Sequence, residues 1–463
     1  MVYEGGMPAP RAATGPHEDP NAPPGAHGAG GLAFIEATGM TPYLWALLAM
    51  LASATFFDGF DLSILGTVAP FVQQQHGLSN AEWGLVNTVI RLGAITSFFI
   101  LILADRYGRR LLITLTIVGY AIFTGLTALS QTITGFTLCQ FAARIFLACE
   151  FALALIIIGE EYPTRWRGMG ISLLSGVSAL GTIAAFLAAR HVLTFHPWRT
   201  MYLIGLVPLG LIFFFRLGMR ETRRFDRVRS ERGMQSWSDA VAGLWVPFEP
   251  RYRARSLLVT LLWNCYHVVT APAVTFWTIH AARNLGYSPS QYGLVVATAY
   301  LFGFLFGAPT AGFLMNRIGR KLACAGYYVC AAVSIFALFW VPRPELWVQM
   351  VLMSITIFFF LGASAATNTY ATELFPTEIR ATGYSWTTNL FGRIGELTTP
   401  LAIGVLADSI GIPSAVAIMA IGPVVGAVIV MRYAPETRGK TLEEISLELE
   451  LARPSREQRR SRA

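Results

Sequence analysis

The chain has 463 residues, of which 54% are hydrophobic and 13% charged, and its mean hydropathy is +0.52. A water-soluble domain carries about 25% charge, so the composition excludes one and indicates a protein that crosses a membrane many times. The formal net charge of +8 does not indicate nucleic-acid binding, because the arginines stand in short loops between apolar runs, where they set orientation in the bilayer.

Residues 1–40 are rich in Gly, Pro and Ala and lack an apolar signal region. They are expected to form a disordered cytoplasmic tail. Twelve apolar spans follow, near 42–74, 80–104, 111–130, 135–160, 168–190, 198–218, 254–281, 288–314, 321–341, 345–372, 383–407 and 412–433. Each is long enough to cross a bilayer as a helix, which takes about 20 residues. The expected fold is an all-α membrane protein, with one six-helix bundle at 41–218 and a second at 254–433. An arginine-dense stretch at 219–253 reads as a cytoplasmic linker. Residues 434–463 read as a charged cytoplasmic tail with a helix at Leu442–Leu451. The five cysteines, Cys139, Cys149, Cys265, Cys324 and Cys330, lie within apolar spans at spacings that suit no metal, so free thiols are expected.

Loops that join an even span to the next odd one hold Arg106, Arg109, Arg110, Arg165, Arg167, Arg317, Arg320, Lys321 and Arg380. The other set holds Arg190, Arg199, Arg283 and Arg343. The positive-inside rule places the first set, and both termini, in the cytoplasm. The sequence also repeats itself. LADRYGRR at 103–110 returns as LMNRIGRK 211 residues later, and WGLV at 83–86 returns as YGLV 209 residues later. A pattern on Glu160, Pro163, Thr164, Arg167 and Gly170 returns on Glu373, Pro376, Thr377, Arg380 and Gly383, 213 residues later. Near-constant offsets across separate motifs imply two duplicated halves, with a site between them near the midplane.

The loop on Asp105, Arg106, Gly108, Arg109 and Arg110, with its second copy, resembles the loop 2–3 motif of the major facilitator superfamily. The resemblance covers essentially all of residues 42–450. It departs from the family pattern at Leu101, where a glycine is usual, and at Asn316, which replaces the second aspartate. The tail PETRGKTLEEI resembles the end of sugar porters and organic-ion relatives, although the glutamine-rich signature of span seven is absent. DGFDLSILG in span one looks most like the aromatic-acid and metabolite:proton symporter branch. The resemblance implies a cytoplasmic gate on Asp105, Arg106, Arg109, Glu160, Arg167, Arg317, Arg320, Glu373 and Arg380. In it Arg109 pairs with Glu160 and Arg320 with Glu373, and these contacts break when the inside opens. The alternative is that these arginines only enforce topology.

Ionisable groups inside apolar spans are costly and therefore functional candidates. Asp58 and Asp61 stand three residues apart, on one face of a helix. Counting helical rise from the loops puts Asp58, Glu150, His267 and Arg393 near mid-depth, with Glu396 a turn further out. Asp61, Arg91 and Arg144 fall nearer the outside. Asp58 is read as a proton carrier or half of a permanent salt bridge, Glu150 as the rival carrier, and Asp61 as a further coupling or structural group. Arg393 is the expected ligand for a substrate anion, since a planar guanidinium meets a carboxylate with two parallel bonds. Its alternative partner is Glu396. Arg91 either guides anions or pairs with Asp61 or Glu150. Arg144 stands a turn after the arginine usual in the branch, where this chain has Gln140. His267 is a coupling group, a ligand or a structural histidine. Asn389, Arg393, Glu396 and Pro400 are spaced as one helical stripe, which points to a cavity wall. Trp263, Asn264 and Tyr300 add the aromatic and amide groups that suit a flat ligand.

These features point to proton-coupled symport of a small organic anion, an aromatic or related carboxylic acid, by a monomer in a bacterial inner membrane. A proton-driven exporter of an amphiphilic compound and a non-transporting membrane sensor are the rival readings. No nucleotide loop, metal cluster or nucleophile constellation supports an enzyme, and no cofactor is expected.

Overall fold

The computed structural model describes residues 40–162, 164–206, 245–341, 345–375 and 379–440, with backbone alone at 101–106, 159, 164, 165, 167, 168, 172, 175, 270–272, 380 and 381. The N-terminal tail, most of the linker and the helix expected at Leu442–Leu451 lie outside the described residues.

Eleven helices among the described residues are long and apolar enough to cross a membrane. They are α1 (Pro42–His76), α2 (Asn80–Tyr107), α3 (Arg109–Leu129), α4 (Ile133–Glu161), α5 (Thr164–Phe195), α7 (Arg253–Arg283), α8 (Pro289–Ile318), α9 (Arg320–Trp340), α10 (Leu346–Glu373), α11 (380–410) and α12 (Ile412–Tyr433). A further helix, α6, is described over 199–206. The architecture is therefore the expected one: two six-helix bundles built from apolar helices.

The ends follow local rules. Thr41 caps α1 by accepting from Leu44 N at 3.3 Å, Pro42 opens the first turn, and Gly77 closes it in the left-handed region at φ 62°. Ser288 and Gln291 form a reciprocal capping box on α8. Among the described residues three spanning helices are interrupted, α12 only by a turn at Ala420. In α8, Gly303–Gly307 is a π-helical turn. In α11, Arg380–Tyr384 runs into a π segment at Ser385–Leu390, a single 3₁₀ turn at Phe391–Arg393, and then regular helix from Ile394 to Ile410.

The end carrying the repeated arginine loops is called the motif end here, and the opposite end the far end. The halves close on one another at the far end. Asp408 of α11 accepts from the backbone N–H groups of Asn80 and Ala81, at 3.0 and 2.9 Å, capping α2 from the other half. Thr278 donates to the Gly66 carbonyl at 2.8 Å, and Tyr292 to that of Thr67 at 3.1 Å. Glycines allow α2 and α11 to touch backbone to backbone: a Cβ on Gly84 would strike the Pro400 carbonyl, and one on Gly404 the Asn80 carbonyl. Around these contacts lies an apolar core drawn from both halves, including Trp83, Phe186, Trp277 and Ile403.

At the motif end two ion pairs among the described residues each lie within one half. Arg109 pairs with Glu160 at 2.9 Å in the first bundle, and Arg320 with Glu373 at 3.3 Å in the second. Both pairings match the sequence expectation. Both pairs join helices of the same half. Cross-half packing nearest this end is aromatic. Phe98 of α2 lies 5.1 Å from Trp386 of α11, and Trp245 and Phe248, just before α7, pack on the same indole at 5.5 and 5.0 Å.

Candidate functional site

A cavity of about 320 Å3 lies between the bundles. Its walls come from eight helices. Arg91, Arg144, Arg393 and Glu396 supply the charge, His267 a polar ring, and Phe186, Tyr300 and Phe360 much of the apolar surface. Arg91 and Arg144 sit about three turns into their helices, so the cavity falls near mid-depth. Its volume is at the low end of small-ligand pockets, about 300–1,000 Å3.

Glu396 is the centre of the charge. Arg91 of α2 bonds one carboxylate oxygen directly, and Arg144 of α4 reaches the same oxygen at 3.8 Å. Arg393 reaches the other oxygen at 3.3 Å. Three guanidiniums, two from the first half and one from the second, thus share one carboxylate. Arg91 therefore has its partner across the interface in Glu396, where the sequence reading offered Asp61 or Glu150. The alternative reading of Arg393, as a partner of Glu396, is also seen.

The break in α11 sets this geometry. In the 3₁₀ turn the Phe391 carbonyl accepts from Ile394 N, and α7 brings side chains to the carbonyls of Phe391 and Gly392 as well. Asn264 donates to the Phe391 carbonyl at 2.7 Å and accepts from Gly395 N at 2.6 Å. His267 Nδ1 lies 2.9 Å from the Gly392 carbonyl. A carbonyl only accepts, so this nitrogen carries the hydrogen. Trp263 stacks on the His267 ring at 5.0 Å. The Asn264 amide is thus committed to backbone, and Trp263 stands behind His267. Neither they nor Asn389, which falls in the π segment, line the cavity.

The carboxylates of the first half are buried beside the cavity and are not part of its lining. Asp58 and Asp61 are 6% and 7% exposed and Glu150 is 5% exposed, so all three are cut off from bulk water. Glu150 accepts from the Thr116 hydroxyl at 2.7 Å. Asp58 has Arg144, Asp61, Glu150 and Arg393 as charged neighbours. Asp61 faces Tyr120 and Arg144, and its Oδ1 is buried with no hydrogen-bond partner. The expectation of one shared chamber is therefore met by the arginines, His267 and Glu396. The three acids lie one layer behind it.

Sequence reasoning missed Phe186, Phe360, Thr182 and Ser63 on the wall. Apolar or small side chains on a membrane helix carry no signal that separates pocket from core. Among the motif residues, Arg317 is exposed with its guanidinium over Phe313 at 5.2 Å. The side chains of Asp105, Arg106, Arg167 and Arg380 lie outside the described residues. The tail adds a contact the sequence did not announce. Glu436 accepts from the N–H groups of Arg320, Lys321 and Arg438, at 2.9, 3.1 and 2.9 Å, and so caps the start of α9. Next to it Thr437 donates to Glu373, joining the tail to the Arg320–Glu373 pair.

Two pseudosymmetric bundles that enclose a charged cavity at mid-depth define a membrane transporter. The chain belongs to the Major Facilitator Superfamily, whose family model matches residues 51–277 and 265–462. It is 25% identical to the niacin transporter NiaP of Acinetobacter baylyi, over 89% of this chain and 99% of that one. It is 26% identical to the 4-hydroxybenzoate transporter PcaK of Pseudomonas aeruginosa, over 79% of this chain and 86% of that one. Among solved structures it resembles the inward open conformation of the xylose transporter XylE from E. coli. The TM-score is 0.71 at 16% identity, over 87% of this chain and 99% of the other.

Proposed function

We propose that this transporter carries a small organic anion, an aromatic or related carboxylic acid, together with protons into the cytoplasm across a bacterial inner membrane. The observation that carries the reading is the arginine cluster: three guanidiniums and one carboxylate in a cavity of single-ring size leave positive charge for a ligand to neutralise. The ligand carboxylate docks on Arg393, the most open of the three, and its ring lies along Phe186 and Tyr300, whose own rings run parallel at 6.4 Å. Relatives named for niacin and 4-hydroxybenzoate support this class of substrate.

Asp58, Asp61 and Glu150 form the proton site. Each is buried, and Arg144 stands between Asp58 and the cavity charge, so filling the cavity alters the field on the acids. The halves, residues 41–218 and 254–433, rock about the cavity, with the linker and both termini in the cytoplasm. On that orientation the far end faces outside and is closed, so the structure corresponds to a state closed to the exterior. The protein works as a monomer surrounded by lipid.

The test is uptake of labelled 4-hydroxybenzoate, benzoate and nicotinate into proteoliposomes under an imposed pH gradient. Accumulation of at least one of the three, abolished when the gradient is collapsed, is expected. Uptake indifferent to the gradient rejects proton coupling, and gradient-driven efflux would make the protein an exporter.

A further inference from the structure

The three arginines around Glu396 are not equivalent. Arg91 is in direct contact with it, whereas Arg393 stands at 3.3 Å and Arg144 at 3.8 Å, beyond good hydrogen-bond length. The Arg393 side chain is 30% exposed, against 13% for Arg91 and 10% for Arg144. Arg91 is the one held directly by Glu396, through Nη1, with its Nε buried and unpartnered, while Arg144 and Arg393 hold donors that Glu396 does not fully use. Those two belong to opposite halves, on α4 and α11. The Arg91–Glu396 pair also joins opposite halves, α2 to α11.

We infer that Glu396 is a built-in stand-in for the cargo's carboxylate, offsetting part of the charge of the arginine cluster and tying α2 to α11 whenever the cavity is empty. The inference rests on the reading of the cavity as an anion site. When an organic anion enters, its carboxylate bridges Arg144 and Arg393, and Glu396 withdraws to Arg91 alone. Clustered cations inside a membrane protein close together only if something compensates them. A loaded transporter brings that compensation with its cargo. An empty one has to supply its own, and Glu396 is positioned to do so from the second half. The charge on Glu396 therefore matters most for the return of the empty protein and least for exchange of one bound anion for another.

The experiment compares wild type with Glu396→Gln, Glu396→Asp, Arg91→Gln and the double variant Arg91→Gln/Glu396→Gln in proteoliposomes, using labelled 4-hydroxybenzoate, benzoate and nicotinate. Binding, exchange and net uptake are each measured, with thermal midpoints as a check on folding. With Glu396→Gln, the anion binds about tenfold tighter, and net uptake falls at least about tenfold more than exchange does. Glu396→Asp, which keeps the charge, recovers net uptake relative to Gln. The double variant, which removes the tie without leaving a spare cation, also recovers it. Equal losses of exchange and net uptake without tighter binding would overturn the inference, as would a double variant no better than the single one. If Glu396→Gln does not fold, the ratio of net uptake to exchange in the other two Glu396 variants decides: unchanged from wild type in Asp and higher than in Arg91→Gln alone in the double variant is the expected result, and any other overturns it. A wild type that moves none of the three anions sinks the reading of the cavity and this inference with it.

Discussion

Two sets of ion pairs in this molecule sit some turns apart and differ in one respect. Arg109–Glu160 and Arg320–Glu373, at the motif end, each lie inside one half. Arg91–Glu396, at mid-depth, crosses from one half to the other. If each bundle moves as a rigid body, a pair inside it persists as the halves rock and a pair across the interface changes. On the proposed mechanism, the recurring arginine loops then stabilise each half, while the charges that respond to the state of the transporter are at its centre.

The largest effect is expected where the central set meets the ligand. Arg393→Ala removes the most open guanidinium, and with it a charge-assisted contact of about 3 kcal/mol, so uptake of the transported anion should fall roughly 100-fold. Labelled-substrate uptake measures it; a variant with normal uptake would show that the central cluster holds only itself. The next effect tests the acids behind the cavity. Asp58→Asn should lower pH-driven accumulation about tenfold while exchange continues, because exchange requires no net proton movement. Equal loss of both would place Asp58 in the cargo site. A smaller effect separates the two sets of pairs directly. Arg109→Gln and Glu160→Gln should each lower the thermal midpoint, with a coupling energy of about 1 kcal/mol in the double-mutant cycle. The ratio of exchange to net uptake should not change, and a shifted ratio would mean that the motif-end pair responds to state after all.

The central charges were visible in the sequence one at a time, because a charge inside an apolar span stands out without any coordinates. Their convergence was less legible. The stripe Asn389, Arg393, Glu396 and Pro400 assumed an unbroken α-helix. The π segment Ser385–Leu390 and the turn Phe391–Arg393 shift the phase, so Asn389 leaves the cavity while Arg393 and Glu396 stay. Asn264 and Trp263 read as ligand groups for the same reason: nothing in the sequence announced the break in α11, where Asn264 bonds backbone and Trp263 stacks on His267. The duplication was legible because a second copy of each motif fixed the register, and the two motif-end pairs followed from the family resemblance. Glu436, more than 100 residues from Arg320, belongs to no repeated pattern, and only the folded chain brings it to α9.

Glu436 offers the finest test of what holds the motif end together. Its carboxylate sits at the start of α9 and receives three backbone N–H groups. Partial burial pushes its pKa up, but those donors outweigh burial and hold it below its ordinary value of 4.5. A carboxyl with a depressed folded pKa stabilises the folded protein above its unfolded value, and that contribution disappears as pH falls through the folded one. Glu436→Gln should therefore weaken the α9 cap at neutral pH by about 0.5 kcal/mol, a modest figure because the group is half exposed and screened. Hydrogen exchange at the Arg320 and Lys321 amides should run about twofold faster in the variant at pH 7. Below pH 4.5 wild type should converge on the variant as its own carboxyl takes up a proton. A difference that persists undiminished into acid would show that the side chain's shape holds α9, with its charge irrelevant, and the contrast drawn between motif end and centre would then rest on packing alone.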